Sequence, residues 1–560
     1  MNDDVTWEAP GKGPWELETT HFQRPATRFA GPTYVEAFGP GFAQGTERFG
    51  MLLSHLQPGL SNGFLYMQPV AFMAPEGAMK PPPAAVLWLL TRLHPKMRAR
   101  IKKSAQAMEN KQWRADLEMW DNEDKPAAIE KHLAIQNVDV EALTDDGLIE
   151  HLERCRAHGV EMVTLHHKYT ATAVVVTGDF LASVAEWTGQ PFGAIAALLK
   201  GSSPISNGFA ADELVKAGGA IAGSEQARSV LNAPGDPEQT IRALSDDPDV
   251  GPAVRAYVDA VRYRSVGYDV GDATAGEMPE LLVEALRAAV DPKPRADSSG
   301  GLDELRAKVP AEHQAAFDEK LAEARLVNRI RDERGVYADG WATGLARRAV
   351  IEAGRRLQSR GLLHAAEHAP DLTLEELSSL LRGQGGPTAD EAAKHHEWRT
   401  TKTVADAPPF LNAMPAPPPP TDLLPPAAQR VARAMDAALF NLFGVSEEEN
   451  TDTVLRGLSV SAGVYEGTAR LVDDAADFGR IKKGDVLVAR NTSPYFNVVL
   501  PLLGAIVTDR GGVLSHAAIV AREYGIPGVV GTRDATTAIT DGSRIRVDGA
   551  AGEVHVLPGS

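Results

Sequence analysis

The sequence predicts a multidomain α plus α/β chain: a large, mostly helical region, a Pro-rich linker and a compact β/α domain. Three observations carry this. From about Ala84 to Leu381, apolar residues recur mostly at three- and four-residue spacing. Ala405–Pro426 holds nine prolines, including Pro417–Pro420, a composition that favours an extended spacer over a packed core. After Leu455 the pattern changes to short β-type runs, LSVSAGVYEGTARLV, DVLVAR, AIVTD, PGVVG, RIRVDG and EVHVL. Only two helix candidates interrupt them, Pro494–Leu503 and Ser515–Tyr524. The expected divisions are an N-terminal arm, 1–20, a helical domain, 21–404, the linker with a short helix, 405–454, and the β/α domain, 455–560.

In the arm, Trp7 and Trp15 are expected to dock their rings on the next domain. From His21 the chain is apolar and broken by glycines, and Asn62–Phe72 (NGFLYMQPVAF) has the aromatic, extended character of a strand or buried loop. Leu143–Trp187 opens on a helix-start signal, Thr144-Asp145-Asp146, and continues with helical spacing. Further helices are expected at Ala211–Ala217, Ser224–Leu231, Pro237–Leu244, Val250–Val261, Pro279–Ala289 and Leu302–Val309. Ala311–Arg360 reads as one very long helix with Gly335 and Gly340 as candidate breaks, and Leu372–Leu381 carries a Thr373 cap. Long helices of this kind build a bundle with a groove between them. A short helix is expected at Ala427–Phe443.

A chain of 560 residues has room for about three or four domains. At 43% hydrophobic and 24% charged it is globular in composition. A net charge of −18 speaks against a nucleic-acid or anionic-membrane partner. The single cysteine, Cys155, excludes a disulfide framework and fits a reducing compartment. The N-terminus is acidic and lacks the apolar core of a signal peptide. No uncharged apolar run reaches the roughly 18 residues of a membrane span. A cytoplasmic protein is expected.

The stretch with the most chemistry is Thr508–Gly531, TDRGGVLSHAAIVAREYGIPGVVG. A β-type run, Ala505–Asp509, leads through Gly511 and Gly512 to Ser515, a helix cap, and His516. An imidazole at a helix N-terminus sits where free N–H groups and the positive dipole end favour an anion. Neutral imidazole is a nucleophile toward phosphoryl groups, and phosphoryl transfer asks chiefly for positioning and charge neutralisation. Gly511 and Gly512 would let backbone N–H groups approach a phosphate, and Arg522 and Arg510 are candidate partners for its oxygens. A helical i+6 position need not face the same way as His516. The alternative is a buried helix-start histidine that only satisfies hydrogen bonds.

These residues closely resemble the phosphohistidine "swivelling" domain of the PEP-utilising enzymes: PEP synthases, pyruvate phosphate dikinase and rifampin phosphotransferase. GLSVSAGVYEGTARLV, NTSPYFNVVLPLLGAIVTDRGG and SHAAIVAREYGIPGVVG carry the resemblance, with Thr492-Ser493-Pro494 and Thr508-Asp509 where the family has them. Leu514 departs from the threonine of synthases and dikinases, an apolar choice that rifampin-phosphotransferase-like members accept. HFQRPATRF, NGFLYM and Ala324–Leu377 resemble, more weakly, the substrate-binding domain of rifampin phosphotransferases. Arg262–Asp272 (RYRSVGYDVGD) replaces that family's Gly-His-Arg-Gly stretch.

The resemblance implies that His516 is phosphorylated and ferries the group between two sites. The 1–20 arm leaves no room for the family's ATP-grasp domain, and no P-loop or PEP-binding barrel is found in these residues. A separate ATP-grasp subunit, binding ATP and Mg²⁺, is therefore the expected partner, as in two-component phenol kinases such as phenylphosphate synthase. The acceptor is expected to be a small hydroxylated, phenolic compound. For its site the densest polar cluster is His166, His167, Lys168 and Tyr169, either histidine being a possible base, with Arg331 a candidate for meeting the phosphohistidine. Helix-boundary roles and surface ion pairing explain the same residues. His364, His368, His395 and His396 read as solvated, and no Cys/His set has zinc-ligand spacing. Two rival functions stay open: a subunit acting on a larger hydroxylated antibiotic, and a phosphocarrier without chemistry of its own.

Overall fold

The computed structural model describes residues 5–75, 77–203, 210–291, 301–444, 450–451, 453–473, 475–492, 496 and 499–557. The helices used below are, in chain order, α1 (Gly31–Arg48), α2 (Asp145–Lys168), α3 (Gln314–Asn328), α4 (Ile330–Arg334), α5 (Gly340–Ser359), α6 (Pro426–Phe443) and α7 (His516–Tyr524). Contacts group the chain into two compact units. The first is 1–173, 268–272 and 337–433; the second is 174–267, 273–336 and 434–560. This grouping differs from the expected divisions at 404/405 and 454/455. Half of the helical region belongs with the β/α domain, because residues far apart in sequence share one core.

The first unit has a four-stranded antiparallel sheet in the order β2 (Leu53–Ser61), β3 (Phe64–Ala71), β1 (Trp15–Leu17), β4 (Phe410–Leu411). Asn62 and Gly63, at φ 50° and 83°, form the tight turn that a two-residue hairpin requires. The expected arm is thus partly a strand: Trp15 is buried, and Trp7 packs on Phe64 with ring centroids 5.6 Å apart. Glycine-broken residues 31–48 form α1. A Cβ on Gly41 would lie 2.4 Å from the Thr164 carbonyl, and one on Gly45 2.9 Å from that of Lys168. The missing side chains let α1 approach the end of α2, where His166–Lys168 lie.

Thr144 caps α2 as expected, accepting from the Gly147 N–H at 3.1 Å. The long helical pattern over Ala311–Arg360 is broken at both glycines: a π-helical turn, Gly335–Asp339, separates α4 from α5. A second π-helical turn spans Trp120–Asp124.

In the second unit an eight-stranded sheet runs β5 (Val454–Arg456), β12 (Glu553–Val556), β11 (Arg544–Asp548), β7 (Val464–Val472), β8 (Val486–Ala489), β9 (Ala505–Thr508), β10 (Gly528–Val530), β6 (Leu458–Ser461). Strands β7 to β10 are parallel neighbours, with antiparallel pairs on either side. Strands β8, β9 and β10 are buried along their whole length, which explains their continuous apolar runs. One apolar core joins Leu487, Ile506 and Val520 of this domain to Phe180, Leu286 and Phe317 of the helices. Of the helix expected at Pro494–Leu503, residues 494, 495, 497 and 498 lie outside the described residues; Leu500–Leu502 form a 3₁₀ turn.

Candidate active site

His516 sits in the second unit as the first residue of α7. Ser515 is the N-cap, its Oγ accepting from the Ala518 N–H at 3.3 Å. Gly511 is at φ 111°, a conformation that L side chains rarely adopt. A Cβ on Gly512 would fall 2.3 Å from the Asn441 carbonyl oxygen. That closeness is used: the Gly512 N–H donates to Leu442 O at 3.2 Å and the Leu514 N–H to Asn441 O at 2.7 Å. The glycine pair therefore seats the loop on the last turn of α6, and the Gly512 N–H expected for phosphate is engaged there. Ser515 likewise uses its hydroxyl in capping. Arg522, expected at the phosphate, is buried and donates to Val513 O at 2.8 Å and Val460 O at 3.4 Å; it braces the loop.

The surroundings of the His516 ring come from two other places. Thr492 Oγ1 lies 3.1 Å from Nδ1. On α4, Arg331 and Asp332 act electrostatically on the imidazole. Arg331 donates to the Leu514 carbonyl, two residues before His516. Asp332 is buried and accepts from Ser203 Oγ at 2.8 Å. The next acid, Glu333, pairs with Arg329 at 2.9 Å. His516 is only 6% exposed. Burial pushes its pKa down to about 4; Asp332 opposes the shift and Arg331 adds to it. The imidazole is thus neutral at pH 7, the form in which a histidine nitrogen is nucleophilic.

The expected acceptor cluster lies in the first unit and divides by role. His166 Nδ1 is 2.8 Å from Asp339 Oδ1, at the end of the π-helical turn. His167 packs its ring on Phe38, centroids 3.7 Å apart. Lys168 Nζ and the Tyr169 hydroxyl both donate to Asp124 Oδ2 at 2.5 Å. Burial, then the Asp124 hydrogen bond, raises the Tyr169 pKa, so this phenol stays protonated and structural. Arg331 does not join these four residues; it belongs to the His516 site in the second unit. His396 is also not simply solvated, since it pairs with buried Asp371 at 2.9 Å.

Beside the His166–Asp339 pair stands Tyr34. Its hydroxyl donates to Tyr268 O, and burial together with Asp339, Asp269 and Asp272 holds it protonated well above the usual phenol range. Tyr34 and Asp339 line a small cavity with Thr33, Cys155, Arg156 and Thr343. A histidine oriented by a carboxylate can take a proton from a hydroxyl. Asp339, Asp332, Ser203 and Tyr34 were not singled out by sequence reasoning; their partners are 129 to 305 residues away or contributed by other helices. Among the described residues no group of three or more His, Cys, Asp or Glu side chains could hold a metal ion. No helix among them is long and apolar enough to cross a membrane.

Residues 481–552, which contain this loop and its histidine, match the family described as "PEP-utilising enzyme, mobile domain". Residues 481–552 are thus similar to the mobile domain of PEP-utilising enzymes. Parts of the chain are also similar to curated phosphotransferases and synthases. An uncharacterized phosphotransferase of Bacillus subtilis, YvkC, is 32% identical over 41% of this chain and 26% of its own length. A rifampicin phosphotransferase from a Streptomyces species is 28% identical over 54% of this chain and 34% of its own. A probable phosphoenolpyruvate synthase of Pyrococcus abyssi is 43% identical over 20% of this chain and 14% of its own. The chain spans about a third or less of each of these relatives. Within the mobile domain, His516 is the histidine at the start of α7.

Proposed function

We propose that the chain is a phosphotransferase component that carries a phosphoryl group on His516 to a hydroxyl of a small organic acceptor. The observation that supports this most is the His516 site itself: a neutral, buried imidazole at a capped helix start, with a cation and a carboxylate from α4 beside it. With Nδ1 bonded to Thr492, we assign Nε2 as the carrier nitrogen. In loading, Nε2 forms a bond to the transferred phosphorus and the P–O bond to the nucleotide breaks. In discharge, the acceptor oxygen attacks, the N–P bond breaks, and the acceptor proton goes to a base. Arg331, which donates to the Leu514 carbonyl, would balance phosphoryl charge, and His166 with Asp339 is the candidate base in the first unit. The phosphoryl donor is proposed to be ATP with Mg²⁺ on a separate ATP-grasp component.

A phenol is the favoured acceptor, by the resemblance to two-component phenol kinases. A larger hydroxylated antibiotic is the second reading, favoured by the rifampicin phosphotransferase similarity over 54% of the chain.

The decisive experiment mixes the chain with an ATP-grasp protein, Mg-ATP and panels of phenols and rifamycins. Acid-labile, alkali-stable labelling at His516 and phosphorylated product are expected. Product formation that persists in His516→Ala overturns the reading.

A further inference from the structure

Among the described residues, exposed large apolar side chains concentrate in one stretch of the first unit: Met73, Met79, Val86, Trp88, Leu89 and Leu93. Helix Ala84–Leu93 buries only Leu87 and Thr91. Val86, Leu89 and Leu93 follow i, i+3, i+7 spacing and form a stripe on its open face, with Leu93 66% exposed. A soluble surface rarely leaves such a stripe uncovered.

The flanking charge is equally uneven. Residues 80–114 hold nine Lys and Arg against one acid, Glu109, a net of +8. The whole chain is −18, so the remainder carries −26. On the next helix, Pro95–Glu109, the side chains of Lys96, Arg98 and Lys102 are exposed, and none has an acidic partner among the described residues. The following segment reverses the sign. Residues 115–130 hold six acids against Lys125 alone, and exposed Glu118, Glu123 and Glu130 have no basic partner among the described residues.

A two-fold interface between identical chains must be complementary to itself. The two helices pack on one another. Along the chain the apolar stripe is followed by cations and then by carboxylates without partners of opposite charge among the described residues, a pattern of the kind that requirement asks for. A uniformly anionic surface would leave the carboxylates facing like charge. We propose that the face formed by helices Ala84–Leu93 and Pro95–Glu109, with the acidic segment beyond, is a dimer interface between two copies of this chain. The stripe lies at its centre, and cations of one copy face carboxylates of the other. This inference does not depend on the phosphotransfer reading.

Sedimentation equilibrium of the full chain at low and high salt tests it. A dimer that weakens with salt is expected. The Leu89→Asp/Leu93→Asp variant should dissociate at least about tenfold more readily. Its circular dichroism and urea midpoint, compared with the parent's at monomeric concentration, should stay unchanged, which separates lost association from misfolding. Lys96→Glu/Lys102→Glu and Glu118→Lys/Glu123→Lys chains should each self-associate poorly, yet associate when mixed. A chain monomeric at every concentration and salt overturns the proposal, as does a dimer indifferent to all these variants. Binding to phosphatidylserine-containing vesicles by a monomeric chain overturns it in favour of a membrane surface.

Discussion

The Thr492 hydroxyl oxygen lies 3.1 Å from His516 Nδ1, across 24 residues of sequence. This contact fixes the ring's rotation and selects its tautomer. When Nδ1–H donates to Thr492, the lone pair stands on Nε2. Thr492→Val, which keeps shape but removes the acceptor, should slow His516 phosphorylation by roughly tenfold, the size of one hydrogen bond of about 1.4 kcal/mol. Folding should be little changed. A rate equal to the parent's, measured by rapid-quench labelling, would remove Thr492 from the mechanism.

The pH response of His516 has a definite sign. Burial depresses its pKa to about 4, so the nucleophilic form persists well below neutrality. The loading rate should be flat from neutral pH down to about 5 and fall only as pH approaches 4. An inflection near the ordinary histidine value of about 6.5 would mean that His516 reacts from an exposed setting.

Two further buried histidines, His151 and His158, are also pushed down to about 4, first by burial. Unfolded histidines titrate near 6.5, so the unfolded chain binds more protons in the window between about 6.5 and 4. The stability these groups contribute is complete above that window and is lost as pH falls through it, up to about 3 kcal/mol for each. Urea midpoints should therefore drop between pH 7 and pH 5. Equal midpoints would contradict their neutral burial.

Gly512 meets the Asn441 backbone so closely that Gly512→Ala should destabilise the second unit by about 2–3 kcal/mol. Gly219, with open space around it, is the control: Gly219→Ala should be neutral or stabilising. Differential scanning calorimetry reads both.

In the first unit, Asp339→Asn keeps the shape beside His166 but removes the charge. With an accepted substrate, kcat for phosphoryl discharge should fall by about 10²-fold while His516 loading stays unchanged. A change confined to KM would assign Asp339 to binding alone.

Local chemistry in the sequence pointed correctly to several elements. Ser515 caps α7 and Thr144 caps α2, because capping is decided within three or four residues. The parallel strands β8 and β9 were visible as short apolar runs. What depends on distant partners was hidden. Arg522 reads as a phosphate ligand until its carbonyl partners, Val513 and Val460, are known. Arg331 reads as a candidate for meeting the phosphohistidine, but only the fold shows that it reaches the loop through the Leu514 carbonyl. Gly39, Gly41 and Gly45 look like breaks, yet they sit inside α1, and Gly41 and Gly45 mark a close helix crossing there. Helix propensity is outweighed when a tertiary contact requires a missing side chain.

The hydrogen bonds from Gly512 and Leu514 to the last turn of α6 have a mechanical consequence. Within the second unit, residues 441 and 442 and the histidine loop therefore hold together as one piece. A hinge placed between Asn441 and Gly512 would have to break both bonds. Upstream, Gly178 lets the Ala434 carbonyl sit where a Cβ would otherwise be. That glycine is a latch: filling it should unseat this helix from its neighbour, away from the histidine itself.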